Sequence, residues 1–259
     1  MADHPVIDPA ALDAVIFDMD GVITKTAKVH FAAWKELFDA YLREAAQAAG
    51  DGSAAPDSRF RPFTEEDYLR YVDGKPRYDG VRDLLASRSI ELPWGDPADE
   101  PGKKTVCGLG NRKNDLFTHV VRTQGVEVYP STVTLIEQLQ GAGISAGVVS
   151  ASNNTTEVLD AAGVRRLFSA QVDGLVATQL GLPGKPDPAP FLEAARRLGV
   201  QPDRAAVVED AQAGVQAGRA GGFGLVIGVN RIGQEEALRA HGANVVVDDL
   251  SQVTVAARS

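Results

Sequence analysis

The sequence predicts an α/β fold, a parallel sheet with crossover helices interrupted by a helical insertion. Short β-branched runs alternate with helical patterns over much of the chain, as in parallel strands joined by crossover helices. The alternation stops between about 29 and 125, where helical spacing continues without a convincing strand. The length of 259 residues exceeds one ordinary domain of roughly 150 but falls short of two, which suits one large domain carrying an insertion.

The first strand is read at Ala14 to Phe17, an apolar run closed by Asp18. The insertion opens with Phe31, Trp34, Leu37, Phe38, Tyr41 and Leu42 at helical spacing, and Asp67 to Tyr71, Val81 to Leu85 and Asn114 to Gln124 also read as helices. Gly50 to Pro62 and Pro93 to Gly110 are rich in Gly, Pro, Asp and Ser and read as loops within it. Beyond the insertion, Thr132 to Gln140 is an amphipathic helix ending near Gly141 and Gly143, and Ser145 to Val149 is a strand. Ala189 to Leu198 repeats the helical design, with Pro188 near its first turn and Gly199 as terminator. Ala205 to Val208, Gly224 to Ile227 and Asn244 to Val247 complete the strands. The domains expected are a core of 1–28 with 126–259 and a helical cap of 29–125.

A hydrophobic share of 44% with 24% charged residues places the chain among globular proteins rather than disordered or fibrous ones. The formal net charge of −9 repels nucleic acid and anionic membranes alike, so any bound phosphate needs a local cause. Cys107 is the single cysteine, which excludes an internal disulfide and a cysteine zinc cluster and fits a reducing compartment. Met1 to Pro5 lacks a basic region and the first apolar run is too short for a signal or a span, so a cytoplasmic protein is expected.

Four strand ends carry the chemistry. Asp18-Met19-Asp20 puts two carboxylates at i and i+2, on one side of extended backbone, where an open parallel sheet forms its crevice. Glu209-Asp210 follows another apolar strand in the same manner, and four carboxylates on one rim would suit Mg²⁺. A helix N-terminus favouring acids would explain Asp210 alone, but not the repeated pattern. Ser150-Ala151-Ser152-Asn153-Asn154 ends a third strand and opens a helix, where backbone N–H groups suit phosphate. Asn154 with Glu157 equally fits a capping box. Gly184-Lys185-Pro186-Asp187-Pro188 presents a lysine on a stiff loop before a helix, where its ammonium can hold both phosphate and carboxylate.

Asp-x-Asp, Ser, Lys and Glu-Asp at successive strand ends resemble the motifs of the haloacid dehalogenase superfamily, over nearly the whole chain. The resemblance implies a Rossmann-like, doubly wound core with an all-helical cap inserted after the first motif. It implies Asp18 as the nucleophile that forms an aspartyl phosphate and Asp20 as the general acid/base. Ser150 would bind the transferring phosphoryl group and Lys185 would neutralise it, while Asp18, the Asp20 carbonyl and Asp210 would hold Mg²⁺ with Glu209 in support. The second aspartate points to phosphoryl transfer, since haloalkanoate dehalogenases lack it and phosphonoacetaldehyde hydrolases carry alanine there.

The flanks, Asp18 to Thr24 with Thr26, Ala27, His30, Phe31, Ala33 and Trp34, resemble the β-phosphoglucomutase-like family, as do Arg112 to Asp115 and Val128-Tyr129-Pro130. That resemblance implies conversion between β-glucose 1-phosphate and glucose 6-phosphate through glucose 1,6-bisphosphate, with a sugar-phosphate phosphatase as the alternative. Arg77 in Gly74-Lys75-Pro76-Arg77 would clamp the phosphate that is not transferred, His30 would couple the cap to Asp20, and Thr26 would lie at the hinge. Lys113, Ala151, Ser152 and Asn154 would contact sugar or phosphate. The implied partner is a small-molecule sugar phosphate, with no nucleic acid or membrane, and the protein is expected to be a monomer. As residues alone, His30 and Trp34 equally suit cap packing, and Arg77 and Lys113 suit solvated surface. Three features depart from the family pattern: Asp73 where lysine is usual, Lys25 where an acid is usual, and longer cap loops.

Overall fold

A computed structural model describes residues 5–50 and 57–257. The chain divides into two compact units, one formed by 1–26 with 125–259 and the other by 27–124.

The first unit holds strands β1 (Val6–Ile7), β2 (Ala14–Asp18), β3 (Ser145–Val149), β4 (Ala170–Val172), β5 (Ala205–Glu209), β6 (Leu225–Val229), β7 (Val245–Val247) and β8 (Thr254–Val255). Strands β2 to β7 form one sheet in the order β4-β3-β2-β5-β6-β7, and every pairing in it is parallel. Strands β1 and β8 pair as a separate parallel ribbon. The strand order reverses direction at β2, so the carboxyl end of β2 is the switch point where such sheets open a crevice. Every residue of β2 and β5 is buried, which requires cover on both faces of the sheet.

That cover is supplied by the helices of this unit, numbered with those of the second as α1 (Ala27–Ala48), α2 (Glu65–Tyr71), α3 (Arg77–Ser87), α4 (Val106–Gln124), α5 (Pro130–Gly141), α6 (Thr155–Ala161), α7 (Gly174–Leu180), α8 (Ala189–Leu198), α9 (Gln212–Ala220) and α10 (Glu235–Ala240). Phe191, Ala194 and Ala195 of α8 and Val215 and Ala217 of α9 pack with Ile16, Val149, Val172, Val207 and Val226 of the sheet. Gly199 ends α8 in the left-handed conformation at φ +72°, which glycine adopts without steric cost.

The second unit contains α1 to α4 and, among the described residues, no strand. Its core is aromatic: Trp34, Phe38 and Phe63 stack in series, with centroids 5.3 Å and 5.0 Å apart. Leu37, Val81, Leu84 and Leu109 fill the space around them.

Two sequence readings need correction. The segment read as a loop from Pro93 to Gly110 ends in the first turns of α4, which begins at Val106 rather than at Asn114. Gly108 and Gly110 look like breakers but are packing glycines: a Cβ would lie 2.4 Å from the Lys103 carbonyl oxygen at the first and 2.6 Å from the Tyr78 ring at the second. Asn154 sits before α6, but its side chain does not cap the helix, so the capping box is not formed. The loop reading over Gly50 to Pro62 lies partly outside the described residues, and Ser58–Phe60 within it is a single 3₁₀ turn. Strand β4 escaped the sequence reading because three residues, one of them Gln171, present no pattern.

Candidate active site

The switch point of the sheet gathers the strand-end motifs of the first unit. Asp18 is the last residue of β2 and pairs in register with Val149, so Ser150 emerges beside it from β3. On the other flank, β5 delivers Glu209 and then Asp210. All four side chains are buried, as is Lys185 from the loop before α8.

Lys185 is the centre of charge. Its Nζ donates to Asp18 Oδ1 at 2.5 Å and to Glu209 Oε1 at 2.6 Å. The other Glu209 oxygen accepts from the Ala211 amide at 2.7 Å, so both oxygens of that carboxylate are engaged. Gly214 makes room for it, since a Cβ there would lie 1.7 Å from Glu209 Oε1. Burial alone would push the Lys185 ammonium towards neutrality, but the two carboxylates outweigh it and hold the group above the usual lysine range. Asp18 moves well upwards: burial is the main cause, Glu209 and Asp20 add to it, and Lys185 opposes.

Asp20 belongs to a turn held by backbone bonds from Gly21 N to Thr24 O at 2.8 Å and from Thr24 N to Met19 O at 2.9 Å. The Thr26 hydroxyl donates to Asp20 Oδ1, and Thr24 Oγ1 lies 2.6 Å from Thr26 Oγ1. A chain of hydroxyls therefore ends on one oxygen of Asp20 and fixes that carboxylate. Gly21 has φ +89°, and a Cβ on it would lie 1.7 Å from Asp210 Oδ2, so the loops carrying Asp20 and Asp210 touch there.

Donor atoms of Asp18, Glu209 and Asp210 all lie within 4.8 Å of one another. Two carboxylates at about 4 Å repel by roughly 4 kcal/mol at an effective dielectric of about 20, and one lysine offsets only part of that among three. Hard oxygen donors in that arrangement fit Mg²⁺, and Asp18 with Asp210 present the carboxylates for it once Glu209 is committed to Lys185.

Ser150 Oγ accepts from the Ser152 amide, and Ser152 Oγ accepts from the Asn154 amide, each at 3.1 Å. These turns pleat Ser150, Ala151, Ser152 and Asn154 at the start of α6, while the Ser150 hydroxyl keeps its hydrogen to donate.

In the second unit the structure pairs two residues that the sequence suggested separately. Lys113 Nζ lies 2.5 Å from His30 Nδ1, above the rings of Trp34 and Phe117 at 5.1 and 4.9 Å, and His30 stacks on Phe117 at 4.0 Å. A lysine has only hydrogens to give, so this contact places the His30 proton on Nε2. Arg77 is the first residue of α3, and its guanidinium lies 5.2 Å from the Tyr78 ring centroid. Lys75 of the same loop is turned away to Asp83 at 2.9 Å.

Residues 12–222 match the haloacid dehalogenase-like hydrolase family. The β-phosphoglucomutase of Mycobacterium tuberculosis is 47% identical over 249 residues, which span 95% of this chain and 92% of that one. The chain belongs to the haloacid dehalogenase superfamily, within its β-phosphoglucomutase-like family. A member of this family of known structure, the β-phosphoglucomutase of Clostridium difficile, superposes with a TM-score of 0.67 at 25% identity, over 93% of this chain and 92% of that one. The chain is also 41% identical to 18% of a larger Mycobacterium tuberculosis protein described as an uncharacterized glycosyl hydrolase, over 97% of its own length.

The sequence reading missed Thr24, whose hydroxyl extends the chain to Asp20, and two residues of the loop after β6. Arg231 Nε donates to Gly21 O and Gln234 Nε2 donates to Asp210 O, both at 2.8 Å. An arginine directly beyond the end of a parallel strand was the available signal, since it stands where the other site residues stand.

Proposed function

We propose that this enzyme is a β-phosphoglucomutase, interconverting β-glucose 1-phosphate and glucose 6-phosphate through glucose 1,6-bisphosphate. The observation that carries the reading is the contrast between its two motif aspartates. Asp18 lies buried against the Lys185 ammonium, whereas Asp20 is gripped by the Thr26 hydroxyl. In this reading the first attacks phosphorus and the second holds or releases a proton.

In this reading Asp18 Oδ attacks the phosphoryl group, the phosphorus–oxygen bond to the sugar breaks, and Asp20 protonates the departing sugar oxygen. In the return half, Asp20 takes the proton from the other sugar hydroxyl as that oxygen attacks the aspartyl phosphate. Ser150 donates to a phosphoryl oxygen, and Lys185 favours the ionised form of Asp18 against its burial and offsets the incoming charge. Mg²⁺, held by Asp18, the Asp20 carbonyl and Asp210, would supply the remaining charge neutralisation that a carboxylate needs to approach a phosphate dianion. Arg77 grips the phosphate that is not transferred, and Thr26 serves as the hinge. His30, donating from Nε2, and Lys113 form a pair at the sugar, with Ala151, Ser152 and Asn154 as further contacts. The partner is thus a small sugar phosphate. Among the described residues no helix is long and apolar enough to cross a membrane, and a cytoplasmic monomer is the reading we adopt.

A sugar-phosphate phosphatase is the second reading, because the loop of Arg77 carries an acid at Asp73 and has its Lys75 committed to Asp83. The test incubates the protein and Mg²⁺ with β-glucose 1-phosphate and a trace of glucose 1,6-bisphosphate, following glucose 6-phosphate and free phosphate together. Glucose 6-phosphate forming much faster than free phosphate is the expected result. Phosphate without isomerisation would establish the phosphatase instead.

A further inference from the structure

The loop Asn230-Arg231-Ile232-Gly233-Gln234, between β6 and α10, carries none of the strand-end motifs and has no part in the reaction above. Two of its polar side chains nevertheless reach the two acidic loops. Arg231 Nε donates to the carbonyl of Gly21 and Gln234 Nε2 to the carbonyl of Asp210, each at 2.8 Å.

Each of the two is itself anchored. The Arg231 guanidinium lies 3.6 Å from the centroid of the Tyr129 ring, its Nη1 is 3.3 Å from the Asp248 carbonyl oxygen and 3.5 Å from Asp249 Oδ2, and its side chain is 14% exposed. Tyr129 in turn donates its amide to Ile23 O at 2.9 Å, so Arg231 bears on the nucleophile loop at two places. Gln234 has its backbone amide held by Asn230 Oδ1 at 2.7 Å, and its Oε1 accepts from Gln212 Nε2 at 3.3 Å. The gripped carbonyls belong to residues whose loops meet at the contact between Gly21 and Asp210, where not even a Cβ can be inserted. A shift of either carbonyl therefore changes the spacing of the carboxylates that the loops carry.

We propose that Arg231 and Gln234 are positioning residues that together set the spacing of the Asp18–Asp20 loop and the Asp210 loop, and through it the affinity of the site for a divalent cation. The proposal rests on the Mg²⁺ reading of the site. Both would act through the backbone that carries the acidic ligands, as outer partners of metal sites do.

Calorimetric titration of Mg²⁺ into the full-length protein, without substrate, tests this directly. Gln234→Met removes one grip with no change of charge, and Arg231→Met removes the other while keeping an apolar chain over Tyr129. Each is expected to raise the Kd for Mg²⁺ by about tenfold, the usual scale for loss of an outer partner. Arg231→Lys, which keeps the charge and one donor, is expected to fall between wild type and Arg231→Met. Turnover at saturating Mg²⁺ should return to within about twofold of wild type with an unchanged KM for the sugar phosphate, which a loss of folded protein would not reproduce. Arg239→Ala, which removes an exposed ion pair with Glu235 on α10, should leave the Kd unchanged.

A Kd within twofold of wild type in Gln234→Met and Arg231→Lys would overturn the proposal, whatever became of Arg231→Met. Tighter binding in Arg231→Met would also overturn it, because Arg231 would then act on the cation only by charge repulsion. Failure of the wild-type protein to bind Mg²⁺ would instead refute the metal reading on which the proposal rests.

Discussion

Each unit of the molecule gathers ion-paired side chains around a buried centre, and the two clusters are opposite in sign. In the first unit one lysine serves two carboxylates, Asp18 and Glu209, with the Asp210 carboxylate close by. In the second unit one carboxylate serves two arginines: Asp67 accepts from both terminal nitrogens of Arg61 at 2.7 Å and from Arg88 Nη2 at 2.8 Å. The excess positive charge of the second cluster is absorbed by the backbone, since Arg88 also donates to the carbonyls of Arg59, Arg61 and Pro62. Thr64 closes it by donating both its amide and its hydroxyl to Asp67 and capping α2. The second cluster pins the segment 59–64 to α2 and to the end of α3, although Arg88 Nε is buried without a hydrogen-bond partner. The first is left with more carboxylate than one lysine can balance, a surplus that the proposed Mg²⁺ would offset. Ion pairing about a buried charge is common to both, so charge balance is what would separate the proposed binding site from a structural latch.

The comparison can be broken at four points. Asp18→Asn should lower turnover at least about 10⁴-fold, the scale of losing a nucleophile, while thermal denaturation shows a folded protein. Retained turnover would remove the first cluster from the chemistry. Lys185→Met leaves two buried carboxylates uncompensated and should cost about 3–5 kcal/mol in a denaturant titration. Because the surplus of negative charge then grows, added Mg²⁺ should recover part of that loss. Asp67→Asn strands Arg88, whose side chain is 4% exposed, and should cost about 3 kcal/mol that Mg²⁺ does not recover.

The same variant tests a pH step. Burial would raise the Asp67 carboxyl, but the bonds from Arg61 and Thr64 prevail and lower it from 3.8 to about 2. A folded-state value below the unfolded one means that the ion pair stabilises the fold above about pH 4 and that this stability is lost as pH falls from about 4 to 2. Denaturation of wild type and Asp67→Asn across that range should converge at the acid end. The smallest effect belongs to Lys25→Ala: its pair with Glu127 at 2.9 Å is exposed on both sides and should contribute at most about 0.5 kcal/mol.

Legibility in the sequence followed how locally each feature is encoded. The strands leading to Asp18, Ser150 and Glu209 could be read because a buried parallel strand is an apolar run and its chemistry begins where the run stops. Lys185 could be placed near them by resemblance, but not its bridge between Asp18 and Glu209, which joins residues 167 and 24 positions apart. The start of α4 was hidden because Gly108 and Gly110 answer to Lys103 and Tyr78, neighbours that no local pattern reveals. The Arg61–Asp67–Arg88 latch was illegible for the same reason, and so were Arg231 and Gln234, which act on carbonyl groups that every residue possesses.

The central claim is that the carboxylate-rich cluster forms a covalent phospho-enzyme at Asp18. Its most direct test exposes the protein to glucose 1,6-bisphosphate with Mg²⁺, quenches in acid and maps the phosphoryl group by peptide mass. One phosphoryl group is expected on the peptide bearing Asp18, none in Asp18→Asn, and its disappearance when glucose 6-phosphate is added before the quench. An active enzyme that carries the group elsewhere, or never carries one, would contradict it.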